Sequence, residues 1–102
     1  MSATLRLSSE LVVQADRADR WWREHRPAAP SLFAQELATT LARIRDLPLS
    51  GRPFPRPRHP QLRRAELART RYFVVYEYDE VANTVLVHTV WSPSRRRSPP
   101  LP

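Results

Sequence analysis

The chain has 102 residues, with 17 arginines, no lysine, ten acids, eleven prolines, one glycine and no cysteine. That length suits one compact domain, and the missing cysteine excludes disulfide frameworks, thiolate metal sites and cysteine nucleophiles. The net charge of +7 is concentrated in residues 50–72, where seven arginines face Glu66 alone, and in Arg95, Arg96 and Arg97; such a local field attracts polyanions.

Thr4 to Leu7 alternates in polarity and predicts a short strand. Ser8 or Ser9 then caps a helix, with Glu10 in the first turn, where a carboxylate favours the helix dipole. Leu11, Ala15, Ala18, Trp22 and His25 share one face at helical spacing, opposite a charged side. There Asp16–Arg20 and Asp19–Arg23 are acid-first i,i+4 pairs. Pro27 and Pro30 close this helix and open the next, which buries Phe33, Leu37, Thr40, Leu41 and Ile44 and stops by Pro48. The two make an antiparallel hairpin.

Residues 48–60 hold five prolines and the one glycine, Gly51. They predict an irregular, extended segment, either a stiff connection across the domain or a binding loop. Beyond Pro60 the period becomes two. Leu62 to Ala68 predicts a mixed strand, Tyr72 to Tyr78 a strong one, Asp79 to Asn83 a turn, and Thr84 to Trp91 the return strand. The expected fold is α+β in two layers: an N-terminal strand, a helical hairpin, then a three-stranded antiparallel meander. A single domain is expected over residues 1–94, with a basic, proline-rich tail at 95–102.

If Tyr78 pairs with Thr84, then Val74 faces His88 and Tyr76 faces Leu86 on one side. The other side carries Phe73 by Thr89, Val75 by Val87 and Glu77 by Val85. Both sides are apolar, yet one helical hairpin covers one face. The proline-rich segment, the tail or another protein must cover the second. We assign that face to a partner, since exposed contiguous apolar patches mark interaction sites. Phe73, Val75 and Trp91 are then its apolar contacts.

Three stretches in this order resemble the RelE/ParE toxin superfamily of bacterial type II toxin–antitoxin modules, in particular its ParE-like, plasmid-stabilisation branch. They are W-W-R-E-H-R-P-A-A-P with the following S-L-F-A-Q-E-L (Trp21 to Leu37), L-R-R-A-E-L with R-T-R-Y-F-V-V-Y-E-Y-D (Leu62 to Asp79), and V-L-V-H-T-V-W (Val85 to Trp91). The resemblance implies an antiparallel sheet with the hairpin on one face and the first strand beside the last. It also implies a cognate acidic antitoxin that wraps the toxin. Independently of the resemblance, no apolar run approaches a membrane span and Met1 to Leu7 lacks the length and flanks of a signal peptide, so a cytoplasmic location is expected; no cofactor is expected. ParE-like relatives are associated with poisoning DNA gyrase by binding. RelE-like relatives cut messenger RNA on the ribosome, and a ribosome-dependent endoribonuclease is the alternative here. A non-toxic, basic nucleic-acid-binding domain is a third reading.

RNA-cutting relatives commonly open the third strand with a tyrosine-arginine pair; here that stretch is Tyr72-Phe73, a phenyl ring in the guanidinium position. Action by binding is therefore expected. Should the chain be an endoribonuclease, its candidate catalytic groups are Arg64, Arg71 and His88, two guanidinium groups for phosphate charge and one imidazole for proton transfer. Candidate antitoxin or target contacts are Arg63, Arg64, Arg69 and Arg71, whose forks match phosphate or carboxylate, together with Phe73, Val75, Trp91, Arg95, Arg96 and Arg97. Strand alternation places Arg63 and Arg64 on opposite sides. Three scattered histidines lack ligand spacing, so no metal is expected.

Overall fold

The computed structural model describes residues 2–94 together with Pro99 and Leu101. Its elements are β1 (Thr4–Leu7), α1 (Ser9–His25), α2 (Leu32–Asp46), β2 (Arg52–Pro53), β3 (Arg63–Glu66), β4 (Phe73–Asp79) and β5 (Thr84–Trp91). The strands form one mixed sheet in the order β1-β5-β4-β3-β2. β1 runs parallel to β5, with Thr4 beside Thr84 and Leu7 beside Val87; the other pairs are antiparallel. The α+β reading and the placing of the first strand beside the last both hold. No helix among the described residues is long and apolar enough to cross a membrane.

Ser8 caps α1, its Oγ accepting from Leu11 N at 3.0 Å while its hydroxyl donates to the His88 carbonyl at 2.7 Å. The cap thus starts the helix and ties it to β5. Past Leu7 the outer edge of β5 loses its strand neighbour, and Gln14 of α1 takes that place. Its Oε1 accepts from Val90 N at 2.9 Å and from Thr89 Oγ1 at 2.6 Å. Leu11, Ala18, Phe33 and Ile44 of the hairpin pack on Val74, Tyr76, Val85, Val87 and Val90, which forms the main core. The ion pairs Asp16–Arg20 and Asp19–Arg23, at 2.9 and 3.0 Å, lie on the solvent side, where such pairs contribute a few tenths of a kcal/mol.

The hairpin register differs from the one expected. Asp79, rather than Tyr78, pairs with Thr84, so Tyr78 faces Val85 and Tyr76 faces Val87. The turn decides this. The Asp79 carboxylate accepts from Val81 N and Ala82 N at 3.0 and 3.1 Å, and Asn83 adopts the left-handed backbone at φ 47°, a conformation asparagine tolerates. A bulge opposite Val75 and Tyr76 then absorbs His88, and pairing resumes at Thr89–Val75, Val90–Val74 and Trp91–Phe73. One extra residue re-aims the strand. Val85, Val87 and Val90 all reach the helices, while His88 turns to the other face.

That other face is not bare, which overturns its assignment to a partner. Leu62, Phe73, Val75 and Trp91 form a second core at 1%, 0–4% and 6% exposure, and Phe54 and Leu101 pack on it. The cover is the proline-rich segment, which is not wholly irregular. Arg52 and Pro53 pair with Arg64 and Arg63 as the sheet's edge strand, β2. Proline is acceptable at an edge because its missing N–H leaves no inner ladder bond unmade. Phe54 N then donates to the Leu62 carbonyl at 2.8 Å, and Arg56 and His59 exchange backbone bonds at 3.1 and 2.9 Å, folding the segment back over the sheet.

Gly51 anchors this cover. Its N–H donates to the Tyr76 hydroxyl at 2.9 Å, and that hydroxyl donates to the Pro48 carbonyl at 2.8 Å. A Cβ at position 51 would lie 2.5 Å from Tyr76 Oη and 2.9 Å from the Arg64 carbonyl oxygen. Close approach, not a left-handed backbone, therefore requires glycine here.

Candidate functional site

Over the second core lies a layer of arginines and rings. β3 projects Arg64 onto Phe73, with its guanidinium carbon 3.8 Å from the ring centroid and 5.9 Å from that of Phe54. Arg56 covers Phe54 from the loop at 4.6 Å. Arg64 and Arg52 both reach the Glu66 carboxylate, at 3.3 and 3.1 Å. Arg64 Nε is buried without a hydrogen-bond acceptor among the described residues. Stacking between guanidinium and ring stabilises by about 0.5–2 kcal/mol, more as water is excluded. Arg63 emerges on the opposite side, as alternation requires, and donates to the carbonyls of Leu49 and Gly51 at 3.2 and 2.7 Å. It clasps the start of the covering segment.

His88 sits on the Phe73 face at 8% exposure, with Nε2 2.8 Å from Glu77 Oε1. Gln61 donates to the other oxygen of that carboxylate, and the His59 ring lies 6.4 Å from the His88 ring. Burial pushes the Glu77 carboxyl up. The bonds from Gln61 and His88, with the charges of His88 and His59, outweigh it and hold the carboxyl below the ordinary range. The imidazole is thus occupied by its own carboxylate and roofed by the loop.

The turn from β3 to β4 is held by α2. Glu36 accepts from Arg69 N at 2.6 Å and from Thr70 N and Thr70 Oγ1 at 2.8 Å. Burial raises this carboxyl's pKa as well, and these bonds with the Arg69 charge more than reverse it. Arg71 then takes φ 70°, its N–H bonded to the Leu67 carbonyl at 2.8 Å. It is exposed and lines a cleft beside α1. Leu67 N in turn bonds the Tyr72 carbonyl at 2.8 Å. This tight turn explains why β3 ends at Glu66 and β4 starts at Phe73, inside the limits expected from periodicity.

The family described as "ParE toxin of type II toxin-antitoxin system, parDE" matches residues 5–97. The chain belongs to the ParE toxin family. No curated protein sequence matches it. Among solved structures, the toxin–antitoxin complex RelBE2 from Mycobacterium tuberculosis contains a similar chain. It has a TM-score of 0.67 and 18% identity over 90% of this chain and 99% of that one. A double-arginine mutant of the E. coli toxin RelE in the free state has a TM-score of 0.53 and 18% identity, covering 90% and 84%. The isolated E. coli RelE toxin has 0.50 and 16%, covering 95% and 88%. At these identities the likeness is one of fold.

This ParE-family chain brings Arg64 and His88 to the same face, but places Arg71 in a cleft beside α1. Arg63 is spent on the backbone of the loop, whereas Arg69 is exposed and bonds Glu36 through its backbone N–H. Phe73 and Val75 lie beneath the cover, and Trp91 joins the second core while lining the cleft. Arg95, Arg96 and Arg97 lie outside the described residues. Arg17 and Arg26, which also line the cleft, were not singled out by sequence reasoning. Their helical spacing around Trp21 and Trp22 was the available signal.

Proposed function

We propose that this ParE-family toxin arrests growth by binding its target, with DNA gyrase as that target, and that a cognate acidic antitoxin neutralises it. The observation that carries the non-catalytic reading is Phe73 at the start of β4. A phenyl ring stands where RNA-cutting relatives place a guanidinium, and Arg64 is stacked on that ring and paired with Glu66. General acid–base chemistry needs a proton carrier within reach of substrate, and His88 is buried against Glu77. The antitoxin reading is supported by the net charge of +7 and by RelBE2, itself a toxin–antitoxin complex of similar fold.

Purified protein tested in parallel on gyrase supercoiling and on ribosome-bound messenger RNA decides the mode of action. Inhibited supercoiling with intact RNA is expected. Cleaved RNA with unaffected gyrase overturns the proposal in favour of the ribonuclease reading.

A further inference from the structure

We propose that the cleft between α1 and the adjoining ends of β4 and β5 docks an acidic segment of the antitoxin, whose carboxylates pair with Arg17, Arg26 and Arg71. The inference rests on the antitoxin reading above and adds to it a place and a chemistry. The cleft encloses about 630 Å³, and the three arginines meet one acid there, Glu10.

None of the three is paired with a carboxylate among the described residues. Arg17 and Arg71 have no ion pair among the described residues; Arg26 lies over the rings of Trp21 and Trp22, at 5.2 and 5.7 Å, and donates to the His25 carbonyl. One further observation points to the same space. Arg71 is held at φ 70° by the turn that Glu36 clamps. A non-glycine residue in that region is uncommon, and such strain gathers where a side chain must be aimed.

The occupant is peptide rather than nucleic acid. Single-stranded nucleic acid anchors by stacking bases on aromatic faces. Trp21 is already stacked on His25, at 4.5 Å and 10° between planes, and carries Arg26 over its ring. Carboxylates fit what remains: guanidinium forks and apolar walls.

All three tryptophans of the chain line this cleft, so intrinsic fluorescence reads it directly. The full chain is titrated with the protein encoded in the adjacent reading frame, as wild type, as Arg17→Glu/Arg71→Glu, and as Arg71→Gly. The glycine variant accepts the left-handed turn and removes the charge, so its melting temperature stays at or above wild type. A shifted tryptophan emission and a Kd raised by about tenfold or more in both variants support the proposal. A complex with unmoved emission, or of unchanged affinity in both variants, overturns the cleft and leaves the antitoxin reading standing. A shift produced by a single-stranded oligonucleotide but not by the protein also overturns it. Failure of the wild type to form any complex removes the antitoxin reading, and the cleft with it.

Discussion

Replacing Gly51 by alanine tests the account of how the second face is closed. The added methyl would sit 2.5 Å from Tyr76 Oη, 2.8 Å from Tyr76 Cε1 and 2.9 Å from the Arg64 carbonyl oxygen. Tyr76 is fully buried, and Arg64 O belongs to a strand, so neither yields cheaply. Overfilling a packed site costs about 1–3 kcal/mol. Moving the phenol also weakens its bonds to Gly51 N and the Pro48 carbonyl, each contributing about 0.5–1.5 kcal/mol. The expected loss is about 2–4 kcal/mol, a fall of at least roughly 10 °C in melting temperature for a domain of this size. Urea unfolding of Gly51→Ala, Tyr76→Phe and the double variant measures it. Removing the hydroxyl relieves the closest contact, so the alanine should cost less in the phenylalanine background, by about 1 kcal/mol. A loss under about 1 kcal/mol for Gly51→Ala, or strict additivity in the cycle, refutes the reasoning.

Glu36→Ala removes the clamp on the β3–β4 turn and should destabilise by about 2 kcal/mol in urea, since bonds to a charged acceptor are the stronger kind. Phe73→Asp places a carboxylate in the second core, so it should abolish the folded circular-dichroism signal rather than weaken partner binding alone. Glu77 has a folded-state pKa below its unfolded one. Its stabilisation is therefore present above about pH 4.3 and lost as pH falls through the folded value. Stability measured from pH 7 to 3 should decline less steeply in Glu77→Gln than in wild type.

Local signals and burial patterns carried most of the architecture. Ser8 ahead of Glu10, the proline boundaries around Pro27 and Pro30, and the aromatic run before Asp79 mark elements that depend on neighbours in sequence. The pairing of β4 with β5 was not legible, because it depends on Asn83 turning left-handed and on one bulge at His88, and both are settled by the whole sheet. Two apolar faces were readable as such, but a face covered by the chain's own loop and one covered by a partner leave the same alternation in a strand. Phe54, alone among prolines and arginines, was the residue that carried the difference. At the site, alternation separated Arg63 from Arg64 correctly. The conformation of Arg71 was invisible, since it is imposed by Glu36, more than thirty residues away in the chain.

The parallel pairing of Thr4–Leu7 with residues 84–87 imposes an order on biosynthesis. The earliest strand waits for the latest, so helices can form on the nascent chain while the central layer stays unfinished. A ribosome that stalls before residue 84 leaves that first strand with an unmated backbone and the hairpin without the Val85, Val87 and Val90 side of its core.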